Sequence, residues 1–185
     1  MFKILVKEEI SKHCIDQVER FNFGNRGIAD GNKREQLTGI IGESVLKDLF
    51  DLDLVDGKEG NDNGEDIKFK NLSIDIKTMG RTTDVRGYYV NNFIGLQKEF
   101  PTDVYIFNSL NINKNELTIV GIISKKRLLQ KAKFYKKGTL RHRSNGTSFR
   151  TKADLYEIEN NQLSDIKDLN DLVNKLEILN SYLYG

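Results

Sequence analysis

The sequence predicts an α/β domain with a central mixed β-sheet flanked by helices. Three observations carry that prediction. Two amphipathic helical stretches come first. Several period-two apolar runs follow, and a helical stretch interrupts them. A last amphipathic helix then follows. A length of 185 residues suits a single domain, 1–185, with a sizeable core. Apolar residues make up 38% and charged residues 30%, a soluble globular composition.

Glu8 to Phe21 reads as a helix, with Ile10, Cys14, Ile15, Val18 and Phe21 at helical spacing. His13 and Cys14 are neighbours and so point to different faces; Cys14 reads as core filler. Asn22 to Asn32 is a loop holding Gly24, Gly27 and Gly31, with Arg26, Lys33 and Arg34 making it mildly basic. Lys33 to Phe50 is the second helix, apolar at Leu37, Ile40, Ile41, Val45, Leu49 and Phe50. At about 100° per residue, Glu43 falls on the margin of that face. It belongs either to the edge of a cleft or to a local ion pair with Lys47, one turn on. Gly39 and Gly42 each cost the helix about 1 kcal/mol, tolerable where another backbone or a ligand passes close. Leu52 to Val55 reads as a short strand and Asp56 to Gly64 as a polar loop.

The next stretch carries the chemistry. Ile67 and Phe69 alternate with Asp66 and Lys68; Leu72, Ile74 and Ile76 alternate with Ser73, Asp75 and Lys77. Lys70-Asn71 lies between them as a two-residue turn, with Asn tolerating positive φ, or as part of a longer loop. Centred there, the turn sets Phe69 against Leu72, Ile67 against Ile74 and Asp66 against Asp75. Facing residues of a hairpin have Cβ atoms about 4.5–5.5 Å apart. Carboxylates that close repel unless a cation lies between them. Lys77 shares the face of Asp75. Two acids and a lysine so arranged suit a divalent metal held against a phosphate. The bland reading is a surface hairpin with a weak Asp75–Lys77 ion pair.

Beyond it, Gly80, Arg81, Thr82, Thr83, Arg86, Tyr88 and Tyr89 form either a phosphate-binding segment or an ordinary loop. Tyr88 to Glu99 reads as a helix with Phe93, Ile94 and Leu96 inward. Asp103 to Leu110 and Glu116 to Ile123 are strands. Ser124 caps a helix from Lys125 to Tyr135, with Leu128, Leu129 and Ala132 inward. Gly138 to Arg150 is a basic loop, Asp154 to Ile158 a further strand, and Asp165 to Tyr184 an amphipathic helix.

The net charge is only +2 but is unevenly spread. From Leu117 to Ala153 there is no Asp or Glu, while Lys125, Lys126, Arg127, Lys131, Lys133, Lys136, Lys137, Arg141, Arg143, Arg150 and Lys152 all fall there. Such a stretch is either a polyanion-facing surface, with nucleic acid as the partner, or a solvated basic face. One cysteine allows no internal disulfide, and with His13 and His142 it makes no zinc cage. The start lacks a signal-type apolar run and no stretch reaches transmembrane length. A cytoplasmic protein of a prokaryotic or phage-infected cell, with no membrane partner, is the expectation. No Gly-x-x-x-x-Gly-Lys-Ser/Thr element is present, which disfavours a nucleotide-binding enzyme.

The pattern resembles the PD-(D/E)XK nuclease superfamily. It is carried by Glu43 in Gly-Ile-Ile-Gly-Glu, Asp66 in Gly-Glu-Asp-Ile, and Asp75-Ile76-Lys77. Val120 to Ser124, Lys137 to Thr139 and Asp154 to Ile158 are similar to segments of small prokaryotic and phage nucleases. Glu65 stands where the pattern has proline, and Asp75 where glutamate is commoner. The resemblance implies a restriction-endonuclease-like core. In that frame 1–32 is an N-terminal helix and loop, 33–110 the catalytic core, 111–153 a basic strand-helix-loop region and 154–185 a C-terminal strand and helix. It also implies Mg²⁺, replaceable by Mn²⁺, held by Asp66, Asp75 and the Ile76 carbonyl, with Glu43 acting through water or a second metal. Lys77 would meet the attacking water and the scissile phosphate. Arg81, Arg86, Lys125, Lys126, Arg141, His142 and Arg143 would contact duplex or branched DNA. The expected activity is restriction-type or phage/repair-type cleavage. A four-way-junction resolvase and a non-catalytic DNA-binding module are the alternatives. A homodimer is plausible, because cutting both strands needs two such centres.

Overall fold

The chain opens on an edge strand, β1 (Phe2–Leu5), with Phe2 and Ile4 inward and Leu5 outward. This is a computed structural model, and it describes residues 1–23, 31–59, 64–142 and 146–185. Helix α1 (Glu8–Arg20) buries Ile10, Cys14, Gln17 and Val18. Helix α2 (Lys33–Leu49) starts at a reciprocal cap: Glu35 N–H donates to Asn32 Oδ1 at 3.0 Å, and Asn32 N–H to Glu35 Oε2 at 2.9 Å. The strand expected at Leu52 to Val55 is absent; that segment is irregular and anchored by buried Val55, whose carbonyl lies 2.8 Å from His13 Nε2.

A hairpin follows, β2 (Ile67–Phe69) and β3 (Leu72–Arg81). Its register is the predicted one, Phe69 against Leu72 and Ile67 against Ile74. The positive φ falls on Lys70 (54°), not on Asn71, whose N–H donates to Asn180 Oδ1 at 3.2 Å. The helix expected from Tyr88 to Glu99 is instead a strand, β4 (Val90–Ile94), and a 3₁₀ turn, Gly95–Glu99. The strands β5 (Val104–Asn111) and β6 (Glu116–Ser124) are nearly continuous buried runs. The helix after Ser124 is shorter than expected: α3 (Lys125–Lys131) ends at Ala132, and β7 (Lys133–Tyr135) takes the next residues. The expected loop 138–150 contains a small hairpin, β8 (Leu140–His142) and β9 (Ser148–Arg150). β10 (Leu155–Glu159) and α4 (Leu169–Tyr184) complete the fold.

The architecture is mixed α/β. The main sheet runs β1-β6-β5-β3-β2, with β3 and β5 parallel and the other pairs antiparallel. A second sheet runs β4-β10-β7, and β8-β9 forms a ribbon. Side-chain alternation gives the main sheet two faces. Ile74, Ile76, Val104, Ile106 and Leu110 meet α1, α2 and α4. Tyr105, Phe107, Val120 and Ile123 meet Phe93 of β4, Leu128 of α3 and Ile158 of β10. Where β6 passes Phe107 and Asn108 it bulges, Gly121 and Ile119 pairing around the extra Val120. Helix α2 lies very close to β3: a Cβ on Gly42 would stand 1.9 Å from Thr78 Oγ1. No helix among the described residues is long and apolar enough to cross a membrane.

Candidate metal centre and nucleic-acid interface

The central fact of the site is a mismatch of lengths. β2 pairs with β3 only from Leu72 to Ile74, while β3 continues to Arg81. Ser73 O accepts from Asp103 N and Arg81 O from Ile112 N, both at 2.9 Å, so odd residues of β3 turn their backbone toward β5. Even residues therefore turn theirs toward the hairpin edge. In a strand the N–H and C=O of one residue point the same way, so Ile76 presents both groups where the ladder has ended.

Asp66 fills that gap. Its N–H donates to Ile74 O at 2.9 Å, and its Oδ2 accepts from Ile76 N–H at 2.5 Å. The carboxylate thus takes the place of the next ladder carbonyl. The predicted Asp66–Asp75 opposition is replaced by this docking, because Asp66 lies one residue outside β2. Asp75, next along β3, is wholly buried, and Lys77 Nζ donates to its Oδ1. Asp75 and Lys77 share a face, as expected, beside Tyr105 and Phe107 of β5. Burial, and then the Asp75 carboxylate, push the Tyr105 phenol well above its ordinary value. Tyr105 was not singled out from sequence: nothing local encodes a parallel pairing across the intervening β4.

Glu43 stands elsewhere. It belongs to α2, which covers the opposite face of β3, and Lys47 Nζ lies 3.1 Å from its carboxylate. The local ion pair with Lys47 that the spacing allows is formed. Among the described residues no three His, Cys, Asp or Glu side chains gather as a metal cage. What the hairpin offers is two carboxylates and the Ile76 carbonyl direction, all hard oxygen donors suited to Mg²⁺ with retained waters.

The basic candidates separate by orientation. Arg81 Nη2 donates to Val90 O at 2.8 Å and its guanidinium lies 4.5 Å from the Tyr89 ring centroid; burial lowers its pKa. Lys125 Nζ donates to Phe100 O. Arg141 binds Glu157 Oε2 at 2.5 Å and lies 3.9 Å from the Tyr135 ring centroid; the Glu157 hydrogen bond raises its pKa. These three serve the fold. Arg86, Lys126 and His142 are exposed, and Arg143 lies outside the described residues, as do Gly24, Arg26 and Gly27 of the first loop. Arg150, named in the basic stretch but not among the DNA-contacting residues, is exposed on the outer face of β9, its Nη1 donating to Gly138 O at 2.9 Å. Alternation along β8–β9 was the signal for it, hidden while the segment read as a loop. No family model, curated protein or solved structure matches the chain.

Proposed function

We propose that the chain is a Mg²⁺-dependent DNA endonuclease on a restriction-endonuclease-like core. The observation that carries this reading is the end of the β2–β3 ladder. There the Asp66 carboxylate docks on Ile76 N–H beside buried Asp75 and its partner Lys77. A buried carboxylate is costly unless something binds it. Asp66, Asp75 and the Ile76 carbonyl would hold the ion, Mn²⁺ being able to replace Mg²⁺. Glu43 would act only through water from α2. When bound, the ion supplies Lewis acidity toward a phosphate and lowers the pKa of a bound water.

The chain's own residues do the rest. Asp75, wholly buried, offers a charge in a low-dielectric surrounding, where its attraction for a cation is strong. Asp66 is held in place by the Ile76 N–H. Lys77, side chain 17% exposed, reaches from Asp75 toward solvent. Released from Asp75, it stabilises negative charge growing on a phosphate oxygen.

The test is incubation of supercoiled plasmid and of a synthetic four-way junction with Mg²⁺. Wild type should cut one of them. Asp75→Ala and Lys77→Ala should each slow cutting by about 100-fold or more. Preference for the junction identifies a resolvase, and preference for plasmid duplex a restriction or repair type. A protein that binds both and cuts neither is a DNA-binding module. Size measurement in solution decides whether two copies act together.

A further inference from the structure

The second sheet and the β8–β9 ribbon carry a charged surface that the metal centre does not use. In the ribbon, Arg141 pairs with Phe149, whereas Leu140 pairs with Arg150 and His142 with Ser148. Arg141 faces inward onto Tyr135 and Glu157. Leu140, His142, Ser148 and Arg150 are therefore on the outer face, and all are exposed. Next to it, buried Thr151 ties two segments together. Its Oγ1 donates to Lys136 O at 2.8 Å, Gly138 N–H donates to its carbonyl at 2.8 Å, and its N–H donates to Thr139 O at 3.0 Å. The knot brings Lys136 and Lys137 alongside Arg150 and Lys152. All four are exposed, and none of their side chains has a carboxylate partner among the described residues; Arg150 Nη1 donates to Gly138 O at 2.9 Å, and the Asp154 carboxylate accepts from the Lys137 backbone N–H at 2.8 Å.

The surface also has a fixed relation to the hairpin. Tyr156 of β10 stacks on Phe93 of β4 at 4.9 Å between centroids, and Phe93 lies 5.4 Å from Tyr105. Tyr105 is the cross-strand neighbour of Asp75. The second sheet therefore stands on the face of the main sheet that bears Asp75 and Lys77. Cationic side chains unpaired with carboxylates, on the same side of the main sheet as Asp75 and Lys77, match a phosphate backbone running along that side.

We propose that Lys136, Lys137, Arg150 and Lys152, gathered around Thr151, form a clamp for the phosphates of duplex DNA that needs no metal. The choice of DNA rests on the nuclease reading. The clamp holds phosphates, so it contributes affinity and register but little sequence preference. An anionic lipid surface is the competing partner, and the same residues test it.

The experiment measures anisotropy of a short fluorescein-labelled duplex in EDTA over a salt series. Three proteins are compared: wild type, Lys12→Ala on the exposed side of α1 across the main sheet, and Lys136→Ala/Lys137→Ala/Lys152→Ala. These three lysine side chains make no hydrogen bond or ion pair among the described residues, so the fold survives, checked by circular dichroism. The triple variant should bind roughly tenfold or more weakly near physiological salt, and its log–log salt slope should fall by about three. Lys12→Ala should bind like wild type, its salt slope falling by no more than about one. An unchanged slope in the triple variant overturns the clamp, even where wild type cuts DNA. So does tighter lysine-dependent binding to phosphatidylserine-containing vesicles than to duplex. Lysine-dependent binding by a wild type that cuts nothing leaves the clamp standing and removes the nuclease reading alone.

Discussion

At the scale of single residues, Asp75 poses the main energetic question. Its carboxylate is fully buried and is bonded to Lys77. Removing one partner of a buried ion pair costs about 3–5 kcal/mol, because a charge is left uncompensated. Lys77→Met should therefore lower the melting temperature markedly in EDTA. A divalent ion at Asp66 and Asp75 would take over the neutralising role. Thermal melts with and without Mn²⁺ should then show a rise for wild type, a larger rise for Lys77→Met, and none for Asp75→Asn. A rise of equal size in all three would place the ion elsewhere. Asp75-Ile76-Lys77 was legible in the sequence because spacing along one strand sets which side chains share a face. The role of Asp66 was half legible. Register put it at the end of the hairpin opposite β3, but its capture of Ile76 N–H in place of the expected pairing with Asp75 depends on β2 beginning only at Ile67. Glu43 was not resolved by spacing, since a marginal helix position fits both a cleft and the Lys47 pair.

At the scale of elements, the errors share a cause. Phe93, Ile94 and Leu96 have helical spacing, yet only Phe93 is buried, with Asn91 two residues before it. β10, distant in sequence, pairs with residues 90–94 and imposes period two. Phe134 and Tyr135 leave the helical run of α3 for the same strand's other edge. Edge and ribbon strands such as β1 and β8–β9 are short and half exposed, so their periodicity is weak. By contrast α2 was read well, and its Gly42 has a physical reason. The close approach to Thr78 fixes the distance between α2 and β3. Gly42→Ala should destabilise by about 1–3 kcal/mol through overpacking, despite better helix propensity. Thr78→Ala on the same background should restore most of it in a urea titration. Equal stability of Gly42→Ala and wild type would show that α2 can move away freely. Gly39 has open space beyond it and predicts no such coupling.

At the scale of the whole molecule, two hydrophobic cores lie on opposite faces of one sheet. The first gathers α1, α2 and α4, and the second β4, β10 and α3. Every residue of β5 is buried, and alternate side chains enter alternate cores. Neither core can lose β5 without exposing the other, so the sheet couples them. The C-terminal helix adds a tie to the hairpin, through Lys70 with Glu177 and through Tyr184 Oη, which donates to Asp103 Oδ2 at 2.9 Å. Which faces would be shared was not legible in sequence, because a buried strand reads as a continuous apolar run. Leu176→Ala in the first core and Leu128→Ala in the second each empty a fully buried site. Each should cost about 2–5 kcal/mol. If the sheet couples the cores, both variants shift one urea transition, seen alike by far-ultraviolet circular dichroism and by tyrosine fluorescence. The chain has seven tyrosines and no tryptophan, so the tyrosine signal reports the fold directly. Tyr105 and Tyr156 sit in the second core or against it. Were Leu128→Ala to lose tyrosine signal before circular dichroism, the basic lobe would be a separable unit. It would then be set on the Asp75 face by contact alone and not by the shared strand.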